Sequence, residues 1–202
     1  MKHLGTKKIE TSRLALRRFT MEDAQPMFDN WASDPEVTKY LSWPTHDNVE
    51  VSAWVLGDWI SHYGEENYYQ WAIVPKDNDD RPIGSIAAVR VNDRVESVEI
   101  GYCIGKNWWH KGIMTEALNA VMKFFFEEVG ANRVSAVHDP NNPHSGGVMR
   151  KCGMTYEGTT RQSGRNNQGI CDESIYAILK KEYKYIKNGL ASIWKQAQKL
   201  FF

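Results

Sequence analysis

The chain has 202 residues, long enough for one large domain with a substantial core. Its 25 lysines and arginines are balanced by 25 aspartates and glutamates, which leaves no basic field for a phosphate backbone and disfavours nucleic acid as the partner. Cys103, Cys152 and Cys171 are too few and too scattered for a disulfide framework or a metal centre, and no segment has the roughly 18 unbroken apolar residues of a membrane helix. The opening MKHLGTKKIETSRL lacks the apolar block of a signal peptide, so the expectation is a cytoplasmic protein with free thiols, no metal and no membrane contact.

In chain order, SRLALRRF (12–19) reads as a first strand, with Leu14 and Leu16 on one face. Thr20 is placed to cap a helix over MEDAQPMFDNWAS, with Glu22 and Asp23 suited to its first turn. DPEVTKYLSWPTH (34–46) reads as a loop or short helix, and Asp47 as the cap of a second helix, NVEVSAWVLGDWISHYG. NYYQWAIV (67–74), IGSIAAVRV (83–91) and VESVEIGYCI then follow as three strands joined by short polar turns, the signature of antiparallel hairpins. A helix over 112–129, the strand RVSAVHD, a helix from about Asn142 to Gly153, and the strands MTYEGTTRQ and CDESIYAILKK around the loop SGRNNQG complete a mixed α/β order with at least one helical crossover. Residues 1–183 read as a single domain. Residues 184–202 form an amphipathic helical extension, with Leu190, Ile193, Trp194, Ala197 and Phe201 near helical spacing. The plain reading of that extension is docking on its own domain or on the mate in a homodimer; a membrane surface, suggested by Lys195 and Lys199, is the weaker alternative.

NWWHKGIMTEA (107–117) carries the chemistry. A strand ends, a short turn with a lone glycine follows, and a helix begins. A helix start exposes unpaired N–H groups and a partial positive charge, an anion site when a turn aims them outward. Gly112 permits close approach and Lys111 adds a cation; an ordinary strand-to-helix turn is the alternative. A second helix start lies in DPNNPHSGGVMRKCGM. Asn142 suits the N-cap, Pro143 the first helical position, and Ser145 falls in the first turn. The adjacent Gly146 and Gly147 imply a close approach, either by a ligand or by a packed strand.

Taken together, WxKGxxTEA, HDPxNxxSxxVMxKCGM and YEG make residues 98–161 resemble the acetyl-CoA-binding core of the GNAT N-acetyltransferases, most closely the branch of RimJ/RimL-like ribosomal-protein N-terminal acetyltransferases. The flanking order of elements fits the same fold over 9–180. The resemblance implies an α/β acyl-CoA N-acyltransferase fold: a central mixed, mostly antiparallel sheet flanked by helices, whose fourth and fifth strands splay apart to admit the pantetheine arm. It further implies that His110, Lys111, Gly112, Ile113, Met114 and Thr115, led in by Trp109, bind the pyrophosphate through backbone N–H groups. Cys103 and Ile104 would pair with the pantetheine through main-chain atoms, Asn142 would bond the arm, and Ser145 would sit near the sulfur. The loop departs from the superfamily's usual Gln/Arg-x-x-Gly-x-Gly/Ala, with Trp109 first and Met114 last, and His110 stands where glycine is common.

Acetyl transfer needs a neutral amine, a base to unload it, a donor for the oxyanion and a proton for the departing thiolate. Glu99 is the candidate base. Strand alternation sets it with Ser97, Gly101 and Cys103, opposite Val98, Ile100, Tyr102 and Ile104; a solvated or ion-paired glutamate is the alternative. The superfamily's frequent general acid, a tyrosine seven positions after the helix-start asparagine, is replaced here by Met149, so the resemblance moves that role to Ser145, which could also simply cap the helix. The Ile104 N–H is the implied oxyanion donor, freed by a bulge in its strand. The expected activity is direct acetyl transfer from acetyl-CoA to a primary amine, either a protein N-terminus, as in ribosomal-protein acetylation, or a small-molecule or antibiotic amine. A non-catalytic acetyl-CoA sensor is the alternative that Met149 keeps open.

Overall fold

The computed structural model describes residues 1–184. The helical extension expected at 184–202 therefore falls, from 185 onward, outside the described residues. Eight strands form one sheet: β1 (Ile9–Glu10), β2 (Leu14–Arg17), β3 (Gln70–Pro75), β4 (Gly84–Asn92), β5 (Ser97–Ile104), β6 (Arg133–His138), β7 (Thr155–Asn166) and β8 (Gly169–Leu179). Their spatial order is β1-β2-β3-β4-β5-β6-β8-β7. Every adjacent pair is antiparallel except β5 with β6, which run parallel because a helical crossover joins them. The principal helices are α1 (Ala24–Met27), α2 (Pro35–Thr38), α3 (Val49–Ser61), α4 (Ile113–Phe124) and α5 (Pro143–Lys151).

The two faces of the sheet are covered unequally. On one face, α4 and the turn that continues it pack Leu118, Val121, Met122, Phe124 and Phe125 against Leu14, Leu16, Trp71, Ile86, Val98 and Ile100. The Tyr69 and Trp71 rings meet Phe124 and Phe125 edge-on at 4.9–6.2 Å between centroids, so the phenylalanine run is core, as its position in the α4 pattern predicts. On the other face, α1 and α3 bury Phe19, Met27, Trp31 and Leu56 against Ala72 and Val74 of β3. This second layer stops short of β6 and β8 and leaves their outer face uncovered.

Local chemistry explains most boundaries. The Thr20 amide donates to the Asp23 carboxylate at 2.8 Å, the start predicted for the first helical segment. The cap of α3 is Asn48 rather than Asp47: its side chain accepts the Val51 N–H at 3.1 Å, the geometry of an N-cap three residues ahead of its donor. The expected 163–169 loop is mostly strand, because β7 continues to Asn166 with a register shift between Thr160 and Gly164 that takes up the slack. The two-residue β1 escapes sequence reading because it is an edge pair, Ile9 with Leu16 and Glu10 with Ala15. It also moves the splayed pair from the expected fourth and fifth positions to the fifth and sixth.

Gly84 pairs with Ile104 where β4 and β5 approach most closely, and a Cβ built there would lie 2.4 Å from the Cys103 carbonyl oxygen. That oxygen is ladder backbone and cannot yield, so Gly84→Ala should destabilise the fold by about 1–3 kcal/mol, seen as a lower urea midpoint with an unchanged slope. Gly147→Ala is the control: its Cβ would meet only the Arg150 guanidinium at 3.9 Å, and the change should be neutral or stabilising by up to about 1 kcal/mol.

Candidate active site

β5 and β6 pair over only three positions, Ser97 with Arg133, Val98 with Val134 and Glu99 with Ser135. Beyond them β5 stays with β4 and β6 stays with β8, and the sheet opens into a wedge. The antiparallel register decides which β5 groups face it. The Gly105 N–H donates to the Ile83 carbonyl, which makes 83/105 a hydrogen-bonded pair and 84/104 a non-bonded one. By alternation, Ser85/Cys103 is bonded, while the main-chain N–H groups of Tyr102 and Ile104 point away from β4 into the wedge. Ile104 is thus where the sequence reading needs it. Cys103 is not: its main-chain groups face Ser85, and its Sγ lies 3.4 Å from the Ser85 hydroxyl. The bulge that was expected in β5 lies in β4, at the register shift between Ala88 and Arg90.

At the wedge mouth stands the start of α4. His110 and Gly112 both take left-handed backbone, φ +60 and +73, so the turn folds back on itself ahead of the helix. Histidine tolerates that conformation better than a β-branched residue would, and its ring rests edge-on against His144 of α5 at 4.9 Å. Among the described residues, the amides of His110 to Thr115 find no backbone acceptor outside the helix itself, and a first turn offers none. Ile113 and Met114 turn their side chains into the core, 8 % and 6 % exposed, so the large residue at the loop's last place leaves the amides open. Lys111 is exposed beside them. Trp109 plays another part than the one implied for it: its amide donates to the Lys106 carbonyl at 3.1 Å and its indole N–H to the Ile104 carbonyl at 2.8 Å. It buttresses the end of β5 and offers no donor to a phosphate.

Two residues that sequence reading passed over hold this turn in place. The Glu116 carboxylate receives the Thr11 hydroxyl at 2.6 Å, the Ser12 hydroxyl at 3.1 Å, the Arg13 amide at 3.0 Å and the Arg13 Nε at 2.6 Å. Arg13 also donates to the Lys111 carbonyl at 3.1 Å. Burial opposes ionisation of Glu116, but the Thr11 hydroxyl and the Arg13 and Ser12 donors outweigh it and hold its pKa at about 2. The signal was the Glu of the TEA triplet; its partners lie some hundred residues earlier, which no local pattern connects.

At α5, Asn142 is the N-cap, its Oδ1 accepting the Ser145 amide at 3.4 Å, and Pro143 opens the helix. Ser145 is therefore free of the capping role, and its Oγ lies 3.1 Å from the Tyr102 hydroxyl. Met149 is core, 1 % exposed. Gly146 is required by packing: a Cβ there would sit 2.5 Å from Nε2 of His138 on β6. Burial raises the thiol pKa of Cys103, Cys152 (to about 12) and Cys171, which favours the protonated thiol at all three.

On the uncovered face, Arg90, Glu99, Arg133, Ser135, Val137 and Glu173 line a groove of about 370 Å³. Glu99 lies at its floor, at the last paired position before the wedge, 3.7 Å from the exposed Arg90 guanidinium. Arg133 is held by a two-pronged pair to Glu157 at 2.6 and 2.5 Å. The stretches 30–66 and 163–170, which carry no legible code in sequence, meet each other: the Asn167 side chain donates to the carbonyls of Thr38 and Trp43, each at 2.8 Å. Asp139 ties the β6–α5 turn to the same hairpin through the Asn166 amide at 2.8 Å. The described residues hold no cluster suited to a metal ion and no helix long and apolar enough to cross a membrane.

The family model for the acetyltransferase (GNAT) domain matches residues 13–155. An uncharacterized N-acetyltransferase of Bacillus subtilis, YoaA, is 30% identical over 172 residues, spanning 85% of this chain and 96% of that one. The [ribosomal protein uS5]-alanine N-acetyltransferase of Escherichia coli is 27% identical over 157 residues, 75% of this chain and 79% of that one. A solved structure described as RimL, ribosomal L7/L12 alpha-N-protein acetyltransferase in complex with coenzyme A, superposes with a TM-score of 0.76 at 19% identity, covering 86% and 98% of the two chains.

Glu116→Gln should cost about 1–2 kcal/mol at neutral pH, since neutral hydrogen bonds replace charge-assisted ones on a partly exposed site. The native Glu116 pKa lies below the ordinary 4.5, so its contribution is complete above about 4.5 and is lost as pH falls toward about 2. Thermal melts of the two proteins should therefore converge as the pH is lowered through that range; parallel curves would remove Glu116 as an ionised anchor. By the length of the domain match and the identity to its relatives, the chain belongs to the GNAT acetyltransferase family and is an acetyl-transferring enzyme.

Proposed function

We propose that residues 1–183 act as one catalytic unit that transfers acetyl from acetyl-CoA directly to a primary amine, the α-amine of a protein N-terminus. The observation that carries this reading is the wedge between β5 and β6 with unspent amides at its mouth. The amides of His110 to Thr115 and the Lys111 ammonium receive the pyrophosphate. The Tyr102 and Ile104 N–H groups meet the arm and the thioester carbonyl, where a fixed donor stabilises the oxyanion as it forms. Glu99 and Ser145 belong to opposite faces of the sheet: Glu99 opens on the groove, and Ser145 belongs to the α4–α5 side. The amine enters from the groove and loses its proton to Glu99, directly or through water, while the sulfur leaves toward Ser145.

The acceptor class rests on chemistry and kinship. An α-amine, pKa about 7.7–8.0, is partly neutral at physiological pH, whereas a lysine near 10.4 is not, so a base beside an ion-paired arginine has far less work to do. The E. coli relative is named for N-acetylation of an alanine of ribosomal protein uS5, and the groove opens at the surface, as an extended chain end requires.

The test is release of CoA thiol with acetyl-CoA against N-terminal peptides, polyamines and aminoglycosides. Peptides with a free α-amine should turn over and their N-blocked forms should not; a preference for polyamines or aminoglycosides would reassign the acceptor. Glu99→Gln should lower kcat by about 10²-fold or more, with the loss greatest at low pH where the amine is charged. Gly112→Ala forces a side chain into left-handed backbone and should raise the KM for acetyl-CoA more than it lowers kcat.

A further inference from the structure

We propose that Tyr102 is a positioning residue for acetyl transfer: its half-buried hydroxyl holds the Ser145 hydroxyl aimed into the wedge between β5 and β6. The inference rests on the acetyl-transfer reading above. Tyr102 lies on the α4–α5 face of β5 with Val98 and Ile100, and its ring spans from the strand to the first turn of α5. There the phenol oxygen lies 3.1 Å from both the Ser145 carbonyl oxygen and Ser145 Oγ, and its one proton, donated to Oγ, leaves the serine proton free for the wedge. A serine hydroxyl otherwise rotates to suit its surroundings. A phenol proton donated to Oγ occupies one serine lone pair and so turns the serine O–H away from the tyrosine. No competing role claims Ser145, because Asn142 already caps the helix. Met149, one turn further on, is apolar core, so the serine is the hydroxyl that this helix start offers to the wedge.

Burial pushes the Tyr102 pKa well above its ordinary value, against a smaller opposing effect from Ser145. The phenol therefore keeps its proton at every physiological pH and orients without ionising. The proton count closes without it. The amine nitrogen bonds to the carbonyl carbon, the C–S bond breaks, and sulfur leaves with the electron pair, accepting a hydrogen bond from Ser145 Oγ–H. The proton shed by the amine passes through Glu99 to solvent, and one from solvent ends on the thiolate.

The experiment is steady-state kinetics of the full chain and of Tyr102→Phe, Ser145→Ala and the double variant, on the amine that turns over best. Tyr102→Phe should lower kcat by about 10–100-fold, the scale of a misplaced group, with the KM for acetyl-CoA within about twofold. The double variant should be no slower than Ser145→Ala, because a positioning residue has nothing left to position. The acetyl-CoA-induced rise in Tm should persist in each variant, which reports an intact fold. Unchanged kcat in Tyr102→Phe, or losses that multiply in the double variant, would overturn the inference while leaving acetyl transfer intact. If Tyr102→Phe does not fold, Ser145→Ala decides alone: wild-type kcat there leaves nothing to be positioned. If the unaltered protein releases no CoA thiol with any amine, the acetyl-transfer reading falls and this inference falls with it.

Discussion

Three paired residues and then a parting: the short parallel contact of β5 with β6 is the constraint on which the rest of the site depends. Each strand beyond Glu99 and Ser135 keeps its other neighbour, so the sheet stays continuous through β4–β5 and β6–β8 while it opens between them. A buried main-chain donor without an acceptor costs about as much as a lost hydrogen bond. The N–H groups of Tyr102 and Ile104 are turned into the opening, where water or a ligand can serve as their acceptor. The same geometry that weakens the sheet creates its binding capacity.

The elements around the wedge each hold one part of it. Trp109 grips the Ile104 carbonyl and so keeps the end of β5 against β4. Glu116 gathers donors from residues 11 to 13 and locks the helix start that presents the free amides. Gly146 lets α5 settle on His138, which brings Ser145 within reach of Tyr102. None of these three residues is offered to a ligand. They set distances between the groups we propose to bind one.

The uneven covering of the sheet gives the site its two-sided character. The α4–α5 layer closes one face over β2 to β6, whereas the α1–α3 layer closes the other only over its β3 end. The uncovered remainder is the groove, lined by Arg90, Glu99, Arg133 and Glu173. The wedge can thus be reached from two sides, which is what the direct transfer we propose requires.

Sequence alone was enough for what local chemistry determines. The period-2 and helical patterns gave the order of elements, Asn142 and Pro143 marked a helix start, and the lone Gly112 marked the turn where backbone must turn left-handed. Tertiary structure decided everything that depends on pairing across distance. Which of Cys103 and Ile104 faces the wedge is a matter of register with Ile83, and a shift of one residue would have exchanged them. Whether Ser145 caps a helix or meets a tyrosine depends on a strand 43 residues away, and Glu116's partners lie 103 to 105 residues away. Hydrogen bonds of that reach are formed by the packed fold, and no neighbouring residue announces them.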